Sequence, residues 1–148
     1  MTGNETVCGA RVSGLFDTSG FRAALETGTG TGVRVAMLDT GVDEDHPELA
    51  GRIAASYELE RSGGGYECVP AKGSDEVGHG TACAGIILRN APRVELHSLK
   101  VIGANARGSS DELVRGVEWA IENRMQVISA SLGTLDRRSR ERIGDLAD

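Results

Sequence analysis

Two short segments hold a carboxylate and an imidazole in settings that suit proton transfer. Asp39 follows the apolar run VRVAML at 33–38, and His79 stands between two glycines in the sequence GHGT at 78–81. An aspartate that accepts a hydrogen bond from a histidine fixes the imidazole tautomer and stabilises its protonated form, which makes the histidine a general base. Each residue alone also has an ordinary interpretation, because Asp39 could cap a turn and His79 could be a packed or surface histidine.

The elements that must position this pair follow from the apolar pattern. Short apolar runs bounded by glycine or polar residues predict buried strands over 33–38, 94–101 and 126–132. Helical spacing predicts helices near 16–25, over 81–88 and over 110–123, the last with Ser109 and Glu112 as a capping box. The polar tail from 136 to 148 is compatible with a helix, and 56–78 is interpreted as a long loop or irregular hairpin.

Strands that alternate with helices indicate parallel βαβ units and an α/β layer architecture. In such sheets ligands collect beyond the carboxyl ends of the strands. Asp39, the glycine-rich segment 103–108 and Gly133 each follow a predicted strand. We therefore expect these positions to converge at one edge of the sheet.

Three segments together resemble the subtilisin-like serine peptidases. They are VAMLDTGVDEDHPEL at 35–49, GHGTACAG at 78–85, and the run from LKVIG at 99–103 through GVEWA at 116–120 to VISASLG at 127–133. The resemblance implies a partial subtilisin-like three-layer fold, in which helices flank a parallel sheet. It divides the chain into an N-terminal segment with a short helix at 1–30, an N-terminal half-domain at 31–134 and a charged helix or tail at 135–148.

The resemblance also assigns roles to individual residues. Asp39 and His79 are similar to two members of the catalytic triad. Two segments are similar to the edges between which an extended peptide substrate lies as an added strand. One edge holds Gly103, Ala106, Arg107 and Gly108, and the other holds Ser131, Leu132 and Gly133. Arg107 stands where a small residue is common, which changes the expected preference of the neighbouring subsite. Ordinary loops at strand ends remain the alternative for both segments.

The third triad member is not recognisable. In the family the nucleophilic serine lies in a GTSMA-like motif after SLG, and an oxyanion-binding asparagine also follows SLG; neither motif is present here. Ser129 and Ser131 lie in a predicted strand segment, Ser109 and Ser110 suit helix capping, and the other serines lack an elbow-like setting. Half of such a domain would expose an apolar surface, which predicts a partner.

Three hypotheses follow. The chain is half of a split serine endopeptidase whose complementary chain carries the serine half, or an inactive peptide-binding or regulatory module, or a fragment of a longer peptidase. The first is favoured because both Asp39 and His79 are retained.

Composition excludes several other classes. With 16 basic and 22 acidic residues the net charge is -6, which argues against a nucleic-acid partner. No apolar stretch is long enough to span a membrane, and the polar segment 1–11 lacks a signal-peptide core, so we expect a cytoplasmic protein without a membrane partner. No cofactor is expected.

The cysteines and acidic residues predict no metal site. Cys8, Cys68 and Cys83 fit no zinc spacing and are interpreted as reduced thiols, with a Cys8–Cys68 disulfide as the alternative. Cys83 lies one turn after His79, where proteinase K-like and kexin-like members also carry cysteine; a buried thiol is favoured over a Cys–His nucleophile. The acidic residues around His46 are interpreted as a solvated surface. In extracellular family members a loop completes a calcium site together with the position of Glu48, and no such loop is recognisable in this sequence.

Overall fold

A computed structural model describes residues 18–133 and 136–147. Its elements are, in chain order, helix α1 (Thr18–Thr27), strands β1 (Arg34–Asp39), β2 (Ile53–Ser62) and β3 (Gly65–Pro70), helix α2 (His79–Asn90), strand β4 (Glu95–Lys100), helix α3 (Ser110–Glu122), strand β5 (Val127–Ser129) and helix α4 (Arg137–Ala147). No helix within the described ranges is long and apolar enough to cross a membrane.

The sheet has five strands in the order β3-β2-β4-β1-β5. Strands β2, β4, β1 and β5 run parallel, and β3 is antiparallel to β2 at the edge. The predicted α/β architecture is therefore confirmed, but the sheet is mixed rather than wholly parallel.

The segment interpreted as a loop or irregular hairpin is largely a regular hairpin. Strands β2 and β3 pair from Tyr57 with Pro70 to Ser62 with Gly65. Gly63 and Gly64, with φ of 56° and 89°, form the turn, and these are values that glycine adopts without a steric penalty. Charged outward residues concealed the strand pattern, although Tyr57, Leu59 and Cys68 pack against the core.

The apolar run in β1 is buried on both faces of the sheet. Ala36 and Leu38 face a core shared with α3 and α4, whereas Val35 and Met37 face a second core shared with α2. Helices thus cover both faces, as parallel strands require. The capping box that begins α3 is also present, since Ser109 Oγ accepts from Glu112 N at 3.1 Å and Glu112 Oε2 accepts from Ser109 N at 2.5 Å.

Helix α2 begins against the carboxyl end of β1 because Gly80 has no side chain. A Cβ atom at Gly80 would lie 2.0 Å from the Gly41 carbonyl oxygen and 3.2 Å from Asp39 Cβ. Gly41 has φ of 103° and is itself packed against the backbone of Ser74. This close approach of two backbones brings the helix start beside Asp39.

Substitution of Gly80 by alanine should therefore separate α2 from β1. We expect Gly80→Ala to lower the free energy of unfolding, measured in urea, by about 1–3 kcal/mol. The added methyl group would clash with the carbonyl oxygen of Gly41, which belongs to the backbone and can move only if the chain around it moves. Gly85→Ala in the same helix is the matched control, since a Cβ there meets nothing within 4 Å. The control should be neutral or stabilising by up to about 1 kcal/mol. Equal effects of the two substitutions would contradict the packing argument.

Candidate active site

Asp39 is held rigidly at the end of β1. Its side chain is 1% exposed, and the Thr40 N–H donates to Oδ1 at 2.8 Å. The Asp39 carbonyl accepts from the N–H groups of Val101 and Ile102, which ties the end of β1 to the chain leaving β4. The backbone of Asp39 is thus tied to the segment that follows β4, and its carboxylate is held by the N–H group of the next residue.

His79 is the first residue of α2 and faces this carboxylate. Its Nδ1 donates to Asp39 Oδ1 at 2.7 Å, and half of its side chain is exposed. Gly78 precedes it with φ of 86°, a left-handed conformation that turns the chain into the helix. The hydrogen bond at Nδ1 fixes the tautomer that leaves Nε2 as the proton acceptor.

The electrostatics of the pair favour a protonated imidazole. The hydrogen bond to Asp39 and the negative charge of Asp39 raise the pKa of His79 above its ordinary 6.5. Because the pKa of His79 is higher in the folded chain than in the unfolded chain, the Asp39–His79 pair stabilises the fold fully below pH 6.5. This stabilisation is lost as the pH rises through the pKa of His79 in the folded chain.

Asp75 organises the start of α2, and none of the sequence motifs predicted a role for it. Its carboxylate accepts from Thr40 Oγ1 at 2.8 Å, from Thr81 N and Oγ1 at 2.8 and 2.7 Å, and from the N–H groups of Val77 and Gly78 at 3.1 and 2.8 Å. Burial would raise the pKa of Asp75, but the hydrogen bonds from Thr81, Gly78 and Thr40 outweigh it and lower the pKa from 3.8 to about 2.

Thr40 joins this carboxylate to the dyad. Its Oγ1 donates to Asp75 and accepts from Gly80 N at 2.9 Å, while its own N–H donates to Asp39. One threonine thus contacts both carboxylates and the helix that carries His79. The sequence feature that could have predicted the role of Asp75 is its place as an acidic residue just before the N-terminus of a helix, where negative charge is stabilised.

Cys83 lies against the histidine ring. Its Sγ is 3.9 Å from both ring nitrogens and donates to Ser131 Oγ at 3.7 Å. Burial and the negative charge of Asp39 raise the pKa of Cys83, although the hydrogen bond with Ser131 opposes this. The thiol is partly buried and free, and a protonated sulfur equidistant from both nitrogens does not form a Cys–His nucleophile pair.

The two predicted substrate-binding segments border one cavity of about 570 Å³. On one side, Gly103 and Ala106 form a turn in which Gly103 N donates to the Arg107 carbonyl at 3.0 Å. On the other side lie Leu132 and Gly133, with Ser131 next to Cys83. Apolar groups from Val101, Ile102, Leu113 and Leu132 line the cavity, and Arg107 and Asp136 bring charge to it. The assignment of these residues to substrate binding stays a prediction.

The remaining residues singled out by the sequence lie elsewhere. His97 is buried in β4, where its Nε2 contacts Glu95 Oε1 at 2.9 Å. In the acidic segment 43–48, Asp45 pairs with Lys72 at 2.6 Å. Cys68 is a free thiol whose pKa burial raises to about 11. Cys8, and with it the alternative Cys8–Cys68 disulfide, lies outside the described residues.

Removal of the Asp39 charge should lower the pKa of His79. In Asp39→Asn the amide keeps the shape but not the charge, so the pKa of His79 should fall toward 6.5. An NMR titration of the His79 ring protons measures this change. Asp45→Asn, at a surface carboxylate paired with Lys72, is the control and should leave the His79 titration unchanged. A His79 pKa that stays raised in Asp39→Asn would show that another group holds the proton.

Asp75→Asn should lower the free energy of unfolding at neutral pH by about 1–2 kcal/mol, after allowance for screening by solvent. The reason is that a neutral amide oxygen is a weaker acceptor than a carboxylate for the N–H and O–H groups that donate to Asp75. The lowered pKa means that this stabilisation is present above pH 3.8 and disappears as the pH falls through about 2. Urea denaturation across this range measures the difference. Glu60→Gln, at an exposed position of β2, should change stability by less than about 0.5 kcal/mol. A difference for Asp75→Asn that is independent of pH would contradict this account.

Comparisons with known proteins agree on one family. The model of the subtilase family matches residues 30–148. Subtilisin BL from Lederbergia lenta is 42% identical over 117 residues, which cover 72% of this chain and 39% of that protein. Subtilisin E from Bacillus subtilis (strain 168) is 37% identical over 117 residues, which cover 71% of this chain and 28% of that protein.

A solved structure supports the same fold. The crystal structure of a cold adapted subtilisin-like serine proteinase superposes with a TM-score of 0.61 at 27% identity, over 81% of this chain and 44% of that chain. The chain thus spans less than half the length of these relatives. A family match over most of the chain, together with the Asp39–His79 geometry, shows that the chain belongs to the subtilase family of serine peptidases.

Proposed function

We propose that this chain is one half of a subtilisin-like serine endopeptidase. It supplies Asp39, His79 and the two substrate-binding edges, and a complementary chain supplies the nucleophilic serine and the oxyanion-binding asparagine. The observation that carries the proposal is the 2.7 Å hydrogen bond from a half-exposed histidine to a buried aspartate at the ends of parallel strands.

The chemistry follows from the two ends of the His79 ring. Nδ1 is held by Asp39, so Nε2 accepts the proton of the serine hydroxyl as its oxygen attacks the peptide carbonyl carbon. Asp39 stabilises the imidazolium that forms. The same nitrogen then gives the proton to the leaving amine as the peptide bond breaks, and water releases the acyl group by the reverse sequence of proton transfers.

The substrate is an extended segment of a peptide or protein. The cavity of about 570 Å³ between the two predicted edges is large enough for a side chain of the substrate, and its lining combines apolar groups with the charged residues Arg107 and Asp136. Main-chain hydrogen bonds to both edges would hold the substrate as an added strand. Arg107, exposed beside this cavity, favours an acidic substrate residue at the neighbouring position.

The free edge of β5 is the proposed docking site for the complementary chain. Among the described residues β5 pairs only with β1, and Val127 and Ile128 are 44% and 36% exposed on its two faces. The opposite edge strand, β3, carries Glu67 and ends at Pro70, which are features that prevent pairing of edge strands. The sequence of β5 is Val-Ile-Ser, without charge or proline.

The added strand is proposed to continue the parallel part of the sheet beyond β5. Strands β2, β4, β1 and β5 already run parallel, and helices α3 and α4 pack on one face of the sheet. A strand placed parallel to β5 would extend this arrangement, with α4 covering the same face. An apolar groove of about 580 Å³ between β5, α3 and α4 adjoins this position.

A fluorophosphonate probe tests the proposal, because it labels an activated serine. We expect the complex isolated with this chain to be labelled on the second polypeptide, at a serine in a GTS-like motif, and the chain alone to remain unlabelled. The complex with His79→Ala should be labelled at least about a hundredfold more slowly, because the general base is lost. A folded complex that stays unlabelled would disprove the split peptidase and favour a binding or regulatory module, and equal labelling with His79→Ala would show that His79 is not the general base.

Variants at the two sheet edges test the docking surface in the same assay. Ile128→Glu places a charge on the free edge of β5 and should abolish assembly in size-exclusion chromatography. Glu67→Lys on β3 is the matched control and should leave assembly and labelling unchanged. Circular dichroism of both variants establishes that the chain remains folded. Normal assembly of Ile128→Glu would exclude this edge as the interface.

A further inference from the structure

The hydrogen bond of the dyad has a second bond beside it. Thr40 follows Asp39 in the chain, and Gly80 follows His79. Gly80 N donates to Thr40 Oγ1 at 2.9 Å, and this bond is buried. The side-chain bond between His79 and Asp39 therefore has a neighbour that joins the next residue of each element. Two adjacent bonds fix the orientation of α2 relative to the end of β1 as well as the distance between them.

The residue before His79 is anchored as well. Gly78 N donates to Asp75 Oδ1 at 2.8 Å, and Thr40 Oγ1 donates to the same oxygen at 2.8 Å. His79 thus stands between two backbone N–H groups that are both tied to a network centred on the Asp75 carboxylate. Half of the His79 side chain is exposed, so packing covers only part of the ring, and the backbone on either side has to fix its position.

A carboxylate is the group that satisfies all the backbone donors at position 75. Oδ1 of Asp75 accepts the N–H groups of Val77 and Gly78, and Oδ2 accepts the N–H group of Thr81. A carboxylate carries two acceptor oxygens and no donor, whereas an amide carries one acceptor and one donor group. An asparagine at this position would turn its own NH₂ group toward a backbone N–H in either orientation.

We propose that Asp75 is a positioning residue for general-base catalysis by His79 and that it acts through the hydroxyl group of Thr40. By accepting the Thr40 proton, Asp75 leaves a lone pair of Oγ1 directed at Gly80 N. These bonds hold the first turn of α2 so that His79 Nδ1 stays at Asp39 and Nε2 stays free for the serine. The role in catalysis rests on the proposed function, whereas the link between Asp75 and the His79 ring does not.

The charge of Asp75 acts in the same direction as its hydrogen bonds. The hydrogen bond to Asp39 and the charge of Asp39 are the main causes that raise the pKa of His79, and the charge of Asp75 adds to them. Proton transfer produces an imidazolium, so a fixed negative charge near the ring stabilises the state through which catalysis passes. Positioning can be tested apart from charge, because Thr40 carries none.

The variants Thr40→Val and Thr40→Ser make that separation. Valine keeps the branched shape but lacks the hydroxyl group, whereas serine keeps the hydroxyl group, and neither changes the charge near His79. In fluorophosphonate labelling of the complex we expect Thr40→Val and Asp75→Asn to lower the plateau rate at high pH at least about tenfold, because a small displacement of a catalytic group is costly. Thr40→Ser should be labelled at the wild-type rate.

A destabilised control identifies a merely structural role. Ile87→Ala removes apolar packing between α2 and the core formed with Val35 and Met37, more than two turns along the helix from His79. Circular dichroism establishes the conditions in which each complex is folded, and there Ile87→Ala should be labelled at the wild-type rate. Wild-type rates for Thr40→Val and Asp75→Asn as well, or equally slow labelling of Thr40→Val and Thr40→Ser, would overturn the proposal.

NMR spectroscopy of the chain alone tests the same link without the complementary chain. The proton between His79 Nδ1 and Asp39 gives a far-downfield signal when the ring is held in place and its exchange with water is slow. We expect this signal in the wild type and in Thr40→Ser, and its loss by exchange in Thr40→Val and Asp75→Asn. Retention of the signal in all four would contradict the proposal. If the wild-type complex is not labelled at all, the proposed function fails, and this signal still decides whether Asp75 and Thr40 hold the ring.

Discussion

The contact between two glycine backbones, at Gly41 and Gly80, is the constraint on which this site depends. It lets the first turn of α2 reach the end of β1, and only at this separation can the His79 ring donate to Asp39 at 2.7 Å. Asp75 and Thr40 then hold the approach with hydrogen bonds rather than with apolar packing. The polar cost of bringing a helix N-terminus to a buried carboxylate is offset because the N–H groups of Gly78, Gly80 and Thr81 donate to side-chain oxygens of Asp75 and Thr40.

The parts of this arrangement that follow local rules were predictable from the sequence. A buried strand that ends in aspartate and a histidine between glycines indicated the dyad, and the capping box at Ser109 indicated α3. Asp75 was not predictable in this way, because its donors include Thr40, 35 positions earlier, and become neighbours only in the folded chain. The β2–β3 hairpin was obscured by its charged outer face, which belongs to a strand with one side in water.

The two edges of the sheet differ in a way that bears on assembly. A charged antiparallel hairpin ends the sheet at β3, while β5 offers three unprotected residues with apolar groups on both faces. Parallel sheets are stable when both of their faces are covered, and the faces of β5 are only partly covered, since Val127 and Ile128 are 44% and 36% exposed. The chain leaves this edge toward the predicted substrate-binding segment 131–133, where Ser131 contacts Cys83 beside His79. In the proposed split enzyme, a chain that completes the sheet at this edge would also complete the active site.

The position of Cys83 shows how the ring of His79 is supported on a second side. Asp39 holds Nδ1 at 2.7 Å, and the Cys83 thiol, one turn along α2, lies 3.9 Å from both ring nitrogens. Burial and the negative charge of Asp39 raise the pKa of Cys83, so the sulfur stays neutral and packs as a small apolar group. A neutral thiol does not compete with the imidazole for the charge of Asp39, and the carboxylate therefore remains the partner of Nδ1 alone among these two side chains.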